Sequence, residues 1–257
     1  MIELSIADDV AHVVLSAPDK LNALDGAAIG ELDQAYQDAE RAGVRALVLS
    51  GAGRAFCAGR DISAVDPRTD DVLGFLGGQV TPLLERMSRF PAPTFAAAHG
   101  ACLGVGLGLL IATDVVYVAD TAKIGSPFAN LGATLDSGGH ALFVDRLGAH
   151  RTLDLIYSGR LMSGTEAVAG GLFSQVFAAE DLANATVQAA SRAASGATQA
   201  FLASKTLVQS LRDERLGLWQ SMSDETAAQA ALCDTADYRE GFAAFQEKRK
   251  PAFTGRG

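Results

Sequence analysis

A glycine-rich turn, GACLGVGLGLL (residues 100–110), joins an apolar strand to an apolar helix near the middle of the chain. The first N–H groups of a helix have no partner inside it, and glycines let the backbone approach a ligand closely, so this turn can present N–H donors to an anion. Spacing excludes a dinucleotide-binding fingerprint, because GVGLG is G-x-G-x-G and not G-x-G-x-x-G. The turn predicts a site that stabilises negative charge.

A second turn, SGAGRAFCAGRDI (residues 50–62), also follows an apolar strand. Its glycines leave backbone N–H groups, that of Arg60 among them, free to donate to a ligand. Alone, the segment is more typical of an ordinary strand-to-helix loop with Asp61 as the helix cap. Together with the 100–110 turn, it offers a second source of donors for one anion.

The loop LDSGGH (residues 135–140) places one carboxylate, Asp136, where it could do chemistry. Asp136 could act as a base that moves a proton, or as a nucleophile that forms a covalent intermediate. A structural alternative is that it caps a helix starting near Ser137. His140 could orient Asp136, although a helix histidine with satisfied hydrogen bonds is more common. These three residues do not predict a hydrolase triad, because neighbours on one turn lack the required arrangement and no G-x-S-x-G elbow is present.

Repeated β/α units position these turns. IELSIADDVAHVVLS (residues 2–16) predicts a hairpin with an acidic turn, Asp25 predicts the start of a helix that ends before Gly43, and VRALVLSG (residues 44–51) predicts a strand. Such units favour an α/β fold with largely parallel strands and right-handed crossovers.

The later part of the chain changes character. Ser163 and Glu166 predict a capping box, and from about Asp181 onward the pattern is almost wholly helical. We therefore expect a core over residues 1–190 and a helical region over residues 191–257. That helical region should dock on a partner surface through apolar side chains, which are Leu207, Leu211, Leu218 and Trp219. The segment DPRTDDVLGFLGG (residues 66–78) predicts a mobile surface loop or lid.

Composition narrows the class of protein. The 257 residues are 49% hydrophobic and carry a net charge of −9, which favours a globular enzyme and disfavours a nucleic-acid or anionic-membrane binder. The three cysteines, Cys57, Cys102 and Cys233, are far apart, so neither a disulfide framework nor a metal site is expected. The acidic N-terminus lacks signal-peptide character and no apolar run is long enough to span a membrane, so we expect a cytoplasmic protein.

With both glycine turns taken together, nearly the whole chain resembles the crotonase superfamily, which is the enoyl-CoA hydratase/isomerase family. The resemblance depends on the order and spacing of five segments, which are APDKLNALD (17–25), GRAFCAGRDI (53–62), HGACLGVGLGLLIATDVVYVAD (99–120), AKIGSP (122–127) and EGFAAFQEKRKPAF (240–253). It implies a spiral of β/α units followed by a C-terminal helical region that forms trimers or dimers of trimers.

The resemblance also implies roles for single residues. The backbone N–H groups of Arg60 and Val105 would form an oxyanion hole for the thioester oxygen of an acyl-CoA, which is the substrate; no metal or separate cofactor is implied. Phe245 and Lys248 match positions that reach the CoA of a neighbouring subunit. Residues expected to face CoA are Lys20, Leu21, Ala58, Asp61 and Ile62, and those expected to line an apolar acyl pocket are Leu76, Phe128, Leu131 and Leu135.

The sequence departs from the family pattern at the two glutamates with which hydratases hold and activate water. Their positions match Gly108 and Phe128, neither of which can transfer a proton, so ordinary hydration is disfavoured. Asp136 matches the catalytic aspartate of dienoyl-CoA isomerases, of ring-isomerising enzymes whose loop also reads DSGG, and of aroyl-CoA dehalogenases. Dehalogenation also needs an aromatic cradle and a histidine partner, which the resemblance does not supply.

The expected function is therefore isomerisation of an unsaturated acyl-CoA through a thioester enolate, with Asp136 as the base. Two alternatives stay open: a weak hydratase in which Asp136 and a bound water replace the glutamate pair, and a non-catalytic acyl-CoA binder.

Overall fold

The computed structural model of the 257-residue chain describes residues 1–63, 65–66, 68–128, 133–214, 226–227, 229, 231–232 and 235–255, except for the side chains of residues 242, 245 and 246. Of the residues singled out by the sequence, Leu131, Leu218, Trp219 and Cys233 lie outside this description, as does the side chain of Phe245. In the described part of the chain, no helix combines the length and apolar character needed to cross a bilayer.

The N-terminal unit forms as the local sequence signals predict. Strands β1 (Ile2–Ala7) and β2 (Val10–Leu15) pair antiparallel, and both turn residues between them have positive φ, which short acidic side chains tolerate. Helix α1 (Gly26–Arg41) begins at Asp25, whose carboxylate accepts a hydrogen bond from the Ala28 N–H at 2.9 Å. Strand β3 (Ala46–Gly51) follows and pairs parallel with β2.

The main sheet has six strands in the order β1-β2-β3-β4-β6-β9, and every pair except β1/β2 is parallel. Its later strands are β4 (Thr94–Ala98), β6 (Val115–Ala119) and β9 (Gln175–Phe177). The α/β fold with largely parallel strands is thereby confirmed. A second sheet contains β5 (Ala101–Leu103), β7 (Lys123–Gly125) and β8 (Met162–Ser163).

Both faces of the main sheet are covered, as parallel sheets require. On β3, Leu47 and Leu49 join the larger core beneath α1, whereas the alternate residues Ala46 and Val48 join a second cluster on the opposite face. That second cluster is completed by helix α6 (Ala179–Ala194). The expected boundary at residue 190 falls inside this helix, which packs on the sheet.

The remaining helices surround the two sheets. Helix α2 (Thr81–Ser88) precedes β4, and α3 (Val105–Ile111) follows the 100–104 turn. Helix α4 (Gly139–Ser158) is interrupted at Gly148, and α5 (Gly164–Ala169) starts with the predicted Ser163–Glu166 capping box. The described C-terminal region includes helices α7 (Thr198–Glu214) and α8 (Ala236–Glu247).

The prediction that residues 66–78 form a loop was wrong for their second half. Leu73–Val80 form a π-helical segment that runs directly into α2. Phe75 and Val80 are buried in the main core, and their burial outweighs the low helix propensity of the glycines around them.

Candidate active site

The two glycine-rich turns lie against each other. The Cys57 N–H donates to the Ala101 carbonyl at 2.9 Å, and the Leu103 N–H donates to the Cys57 carbonyl at 3.0 Å, so the turns pair like short parallel strands. Gly59 has φ of +100°, and a Cβ there would lie 2.9 Å from the Leu103 carbonyl oxygen and 3.6 Å from the Val105 nitrogen. Only glycine permits this approach.

This pairing brings the two expected donors to one place. The N–H groups of Arg60 and Val105 make no hydrogen bond to any residue in the described part of the chain. Leu24 pairs with the residues on either side of Arg60: its N–H donates to the Gly59 carbonyl at 2.8 Å and its carbonyl accepts from Asp61 at 2.9 Å. The Arg60 N–H therefore faces away from Leu24. Val105 is the first residue of α3, where N–H groups lack helical partners.

Asn22 fixes the 50–62 turn, a role that local sequence reasoning missed. Its side chain is fully buried and donates to the carbonyls of Ala52 and Ala55 at 2.9 and 2.7 Å, while its Oδ1 accepts from the Ala17 N–H at 2.8 Å. Asn22 also has φ of +57°, which asparagine tolerates better than most residues. An asparagine between apolar neighbours was a weak signal, because its partners lie about 30 residues away in sequence.

Asp136 lies close to this site and is not a helix cap. Helix α4 begins after Gly138 with no side-chain cap, so the capping alternative was wrong. Asp136 Oδ1 is buried and has no hydrogen-bond partner among the described residues. Burial raises the pKa of the Asp136 carboxyl above its usual range, and the Ser137 hydroxyl and the Arg60 positive charge oppose this shift in part. The carboxyl group is thus available to a ligand.

Ser137 lies between Asp136 and helix α3. A Cβ at Gly108 would overlap the Ser137 Cβ and lie 3.2 Å from its Oγ, so Gly108 has no room for any side chain while Ser137 is present. The Ser137 Oγ is buried and, like Asp136 Oδ1, is unpartnered within the described residues. His140 is exposed, and its Nε2 lies 3.4 Å from the Thr134 hydroxyl rather than on Asp136.

Apolar side chains border the same region. The Phe128 ring contacts the turn before α3, since a Cβ at Gly104 would lie 2.9 Å from the ring. Leu135 is buried in the main core, where it packs against Gly139. Leu76 is half-buried against that core.

The Arg60 side chain ties this site to the 70–76 segment. Its guanidinium donates two hydrogen bonds to the Asp70 carboxylate at 2.8 and 2.6 Å and lies 4.2 Å from the centroid of the Phe75 ring. The bidentate pair and the cation–π contact hold this segment beside the Arg60 backbone. Neither partner was identified from the sequence, because the segment looked like a loop.

The expected CoA-facing residues form one surface group. The Lys20 ammonium contacts the Asp61 carboxylate at 2.9 Å, and the Leu21 carbonyl accepts from the Ala58 N–H at 2.9 Å. Hydrogen bonds from Ser63 and then Lys20 lower the pKa of Asp61, whereas Asp61 raises the pKa of Lys20. Ile62 is 53% exposed beside them. Lys248 is exposed after α8, and within the described residues no hydrogen bond or ion pair joins it to that group.

Cys57 and Cys102 are buried in the paired turns, and burial raises the pKa of the Cys57 thiol to about 12. Both therefore pack as small apolar side chains and are poor nucleophiles. Within the described residues, no three His, Cys, Asp or Glu side chains come together as metal ligands would.

The sequence profile of the enoyl-CoA hydratase/isomerase family matches residues 5–256. The chain therefore belongs to this family, and the resemblance to the crotonase superfamily is confirmed. A "Probable enoyl-CoA hydratase" of Rhodobacter capsulatus is 32% identical over 99% of this chain and 98% of its own. The "1,2-epoxyphenylacetyl-CoA isomerase" of Escherichia coli is also 32% identical, over 96% of this chain and 95% of its own.

Solved structures agree with the sequence relatives. The crystal structure of an enoyl-CoA hydratase from Bacillus anthracis has a TM-score of 0.90 with 27% identity, and the comparison covers 99% of both chains. The expected crotonase fold, a mixed α/β core with a C-terminal helical region, is confirmed.

Proposed function

We propose that this protein isomerises an unsaturated acyl-CoA through a thioester enolate, with Asp136 as the proton carrier. The backbone N–H groups of Arg60 and Val105 donate to the thioester oxygen. One observation above all supports this proposal: close to the paired turns, Asp136 has a raised pKa and a buried carboxylate oxygen that no described residue hydrogen-bonds. Perturbed carboxyl groups of this kind are typical of acid–base catalysts.

The reaction needs one proton to move and no water. The Asp136 carboxylate removes a proton from a carbon next to the activated system, and the C–H electron pair moves through the double bond onto the thioester oxygen. The two N–H donors stabilise that charge, and each such donor contributes about 10² to 10³ in rate. The protonated Asp136 then returns the proton to another carbon, where a new C–H bond forms and the double bond has shifted.

The residues at positions 108 and 128 favour isomerisation over hydration. Gly108 cannot accommodate a carboxylate beside Ser137, and Phe128 cannot transfer a proton. Hydration remains the second candidate, because several relatives are named hydratases and because Asp136 and Ser137 together offer polar atoms to a water molecule.

Product analysis decides between these reactions. We expect mass-unchanged products with a relocated double bond from at least one member of a panel of 2-enoyl-, 3-enoyl-, dienoyl- and ring-containing CoA thioesters. Products heavier by one water would support hydration instead. Thioesters bound tightly but recovered unchanged throughout would support a non-catalytic binder.

The Asp136→Asn variant tests the base. We expect its turnover to fall about 10³-fold while acyl-CoA binding persists, because the amide keeps the shape but cannot accept the proton. Asp145→Asn is the matched control, since Asp145 is an exposed carboxylate on α4 that pairs with Arg146. Undiminished turnover in Asp136→Asn would refute the assignment.

We further propose that residues 191–257 mediate assembly into a trimer or dimer of trimers. In such an assembly Phe245 and Lys248 approach CoA on the neighbouring subunit, while Lys20, Leu21, Ala58, Asp61 and Ile62 face CoA within the chain. Leu131, Leu135 and Phe128 would then border the acyl group. Light scattering during gel filtration gives the mass, and a monomer at catalytic concentrations would exclude this arrangement.

A further inference from the structure

Three features of Ser137 are not explained by its position in a loop. Its Oγ is buried without a hydrogen-bond partner in the described part of the chain. Its backbone has φ of +52°, a left-handed conformation that costs a serine free energy. Its Cβ occupies the space that Gly108 leaves open on α3. A buried hydroxyl that gives up its bonds with water needs a partner.

The neighbouring Asp136 carboxyl group also lacks a hydrogen-bond partner among the described residues. Asp136 Oδ1 and Ser137 Oγ are both buried, neither has a partner in the part of the chain that the structure describes, and they belong to adjacent residues. The Ser137 hydroxyl is near enough to lower the pKa of the Asp136 carboxyl in part. Among the described residues, however, Ser137 Oγ has no partner in hydrogen-bonding geometry. A hydroxyl can both donate and accept, and a carboxyl group accepts when ionised and donates when protonated. One oxygen atom of a ligand could satisfy both groups.

We propose that Ser137 is a substrate-contacting residue that, with Asp136, binds an oxygen substituent on the acyl group of the substrate. The expected substrates are acyl-CoA thioesters with a hydroxyl or similar oxygen near the reacting carbons, rather than purely hydrocarbon enoyl chains. This inference rests on the proposed function only in taking Asp136 as part of the acyl site.

The expected preference for acyl groups with an oxygen substituent follows from the free-energy cost of leaving buried polar groups unpaired. A hydrocarbon acyl chain would bury the two oxygens of Asp136 and Ser137 against apolar atoms, whereas an oxygen substituent restores at least one hydrogen bond. Sites that bind a substrate hydroxyl discriminate strongly against the analogue lacking it. Water could fill the same position, but it would give no preference among acyl groups.

Equilibrium binding tests the proposal without requiring turnover. The probes are butyryl-CoA and its 2-, 3- and 4-hydroxy derivatives, with dissociation constants measured by isothermal titration calorimetry on the full chain. We expect at least one hydroxy derivative to bind about 10-fold more tightly than butyryl-CoA. We expect Ser137→Ala to lose this preference, because the hydroxy derivative loses a hydrogen bond and butyryl-CoA no longer buries an unpaired hydroxyl and so binds more tightly.

Two variants make the result decisive. Ser137→Gly removes the same hydroxyl and suits the positive φ, so it should fold even if Ser137→Ala does not. Ser158→Ala is the matched control, because the Ser158 hydroxyl on α4 bonds to the Asp154 carbonyl at 2.6 Å; it should retain the preference.

Two results would overturn the proposal. One is equal affinity for all four thioesters, or tighter binding of butyryl-CoA, in the wild-type protein. The other is a preference for a hydroxy derivative that survives removal of the Ser137 hydroxyl. In that second case, a shift in the pH profile of turnover would assign Ser137 to positioning Asp136 rather than to contacting substrate. Because binding is measured directly, these results stand whether or not the protein proves to be an isomerase.

Discussion

Two neighbouring regions of the candidate site are built in opposite ways. The paired turns, residues 56–60 and 101–105, are held by backbone hydrogen bonds and by glycine contacts. They leave the N–H groups of Arg60 and Val105 without a hydrogen bond to any described residue. The acidic loop, residues 133–138, instead leaves side-chain oxygens of Asp136 and Ser137 without hydrogen-bond partners among the residues that the structure describes. The first region depends on backbone geometry and the second on side-chain identity.

The difference indicates how tasks are divided within the site. Stabilising charge on a thioester oxygen requires two donors at fixed positions, which a rigid backbone supplies for any acyl group. Moving a proton requires a particular side chain at a particular distance from one carbon. Substitutions in the acidic loop can therefore change the reaction, whereas substitutions in the paired turns can only weaken it.

After the Asp136→Asn variant, the largest effect on turnover should come from distorting the paired turns. Gly59→Ala places a methyl group 2.9 Å from the Leu103 carbonyl oxygen, so the turns must separate and the two donors no longer converge. We expect kcat to fall about 10²-fold, which is the effect of losing one oxyanion donor. Steady-state kinetics on the best substrate of the panel measures it.

Gly171→Ala separates this effect from backbone strain. Gly171 has φ of +79°, and nothing would lie within 4 Å of its Cβ, so this variant carries the strain without the collision. Both variants should lose stability, but only Gly59→Ala should lose activity. Equal activity in the two variants would mean that the donors are not needed.

A smaller effect is expected where the two regions meet. Gly108→Ala would overlap Ser137 and push the acidic loop away from α3, and we expect kcat to fall about 10-fold, because Asp136 moves with Ser137. Adding Ser137→Gly removes the obstructing atoms and should recover most of the kcat for a substrate without an oxygen substituent. Lack of recovery in the double variant would show that the contact does not position the loop.

The smallest effect is on stability and depends on pH. Because the folded protein raises the pKa of Asp136, the folded state holds that proton more tightly than the unfolded state, and stability falls as pH rises through the folded pKa. Asp136→Asn removes the buried charge and should raise Tm by a few degrees at pH 7. Scanning calorimetry should show this gain shrinking at pH 4; a gain that is independent of pH would contradict the charge explanation.

Local signals were sufficient for most of the fold. The Asp25 cap, the acidic hairpin turn and the Ser163–Glu166 capping box each involve residues within a few positions of one another, so the sequence alone indicates them. The helical segment Leu73–Val80 escaped prediction because its glycines suggest a loop, while its stability comes from burial of Phe75 in a distant core.

The candidate site was predictable only in part. Glycine spacing predicts N–H groups that are available to a ligand. It does not reveal that Asn22 fixes the 50–62 turn through carbonyls of residues 52–56. The Asp136 side chain does not cap α4, and the Ser137 hydroxyl has no hydrogen-bond partner among the described residues. Both facts depend on how the acidic loop meets α3. Such contacts join residues about 30 positions apart and leave no periodic pattern.

The contact between Gly108 and Ser137 also constrains the order in which this enzyme could change over evolutionary time. A glutamate at position 108 has no space until position 137 becomes smaller, yet shrinking residue 137 first removes a hydroxyl from the site. Two substitutions that are unfavourable singly would have to be acquired together or in one permitted order. The pair formed by residues 108 and 137 is therefore an epistatic barrier to gaining an acid at position 108, which is one of the two glutamate positions of hydratases.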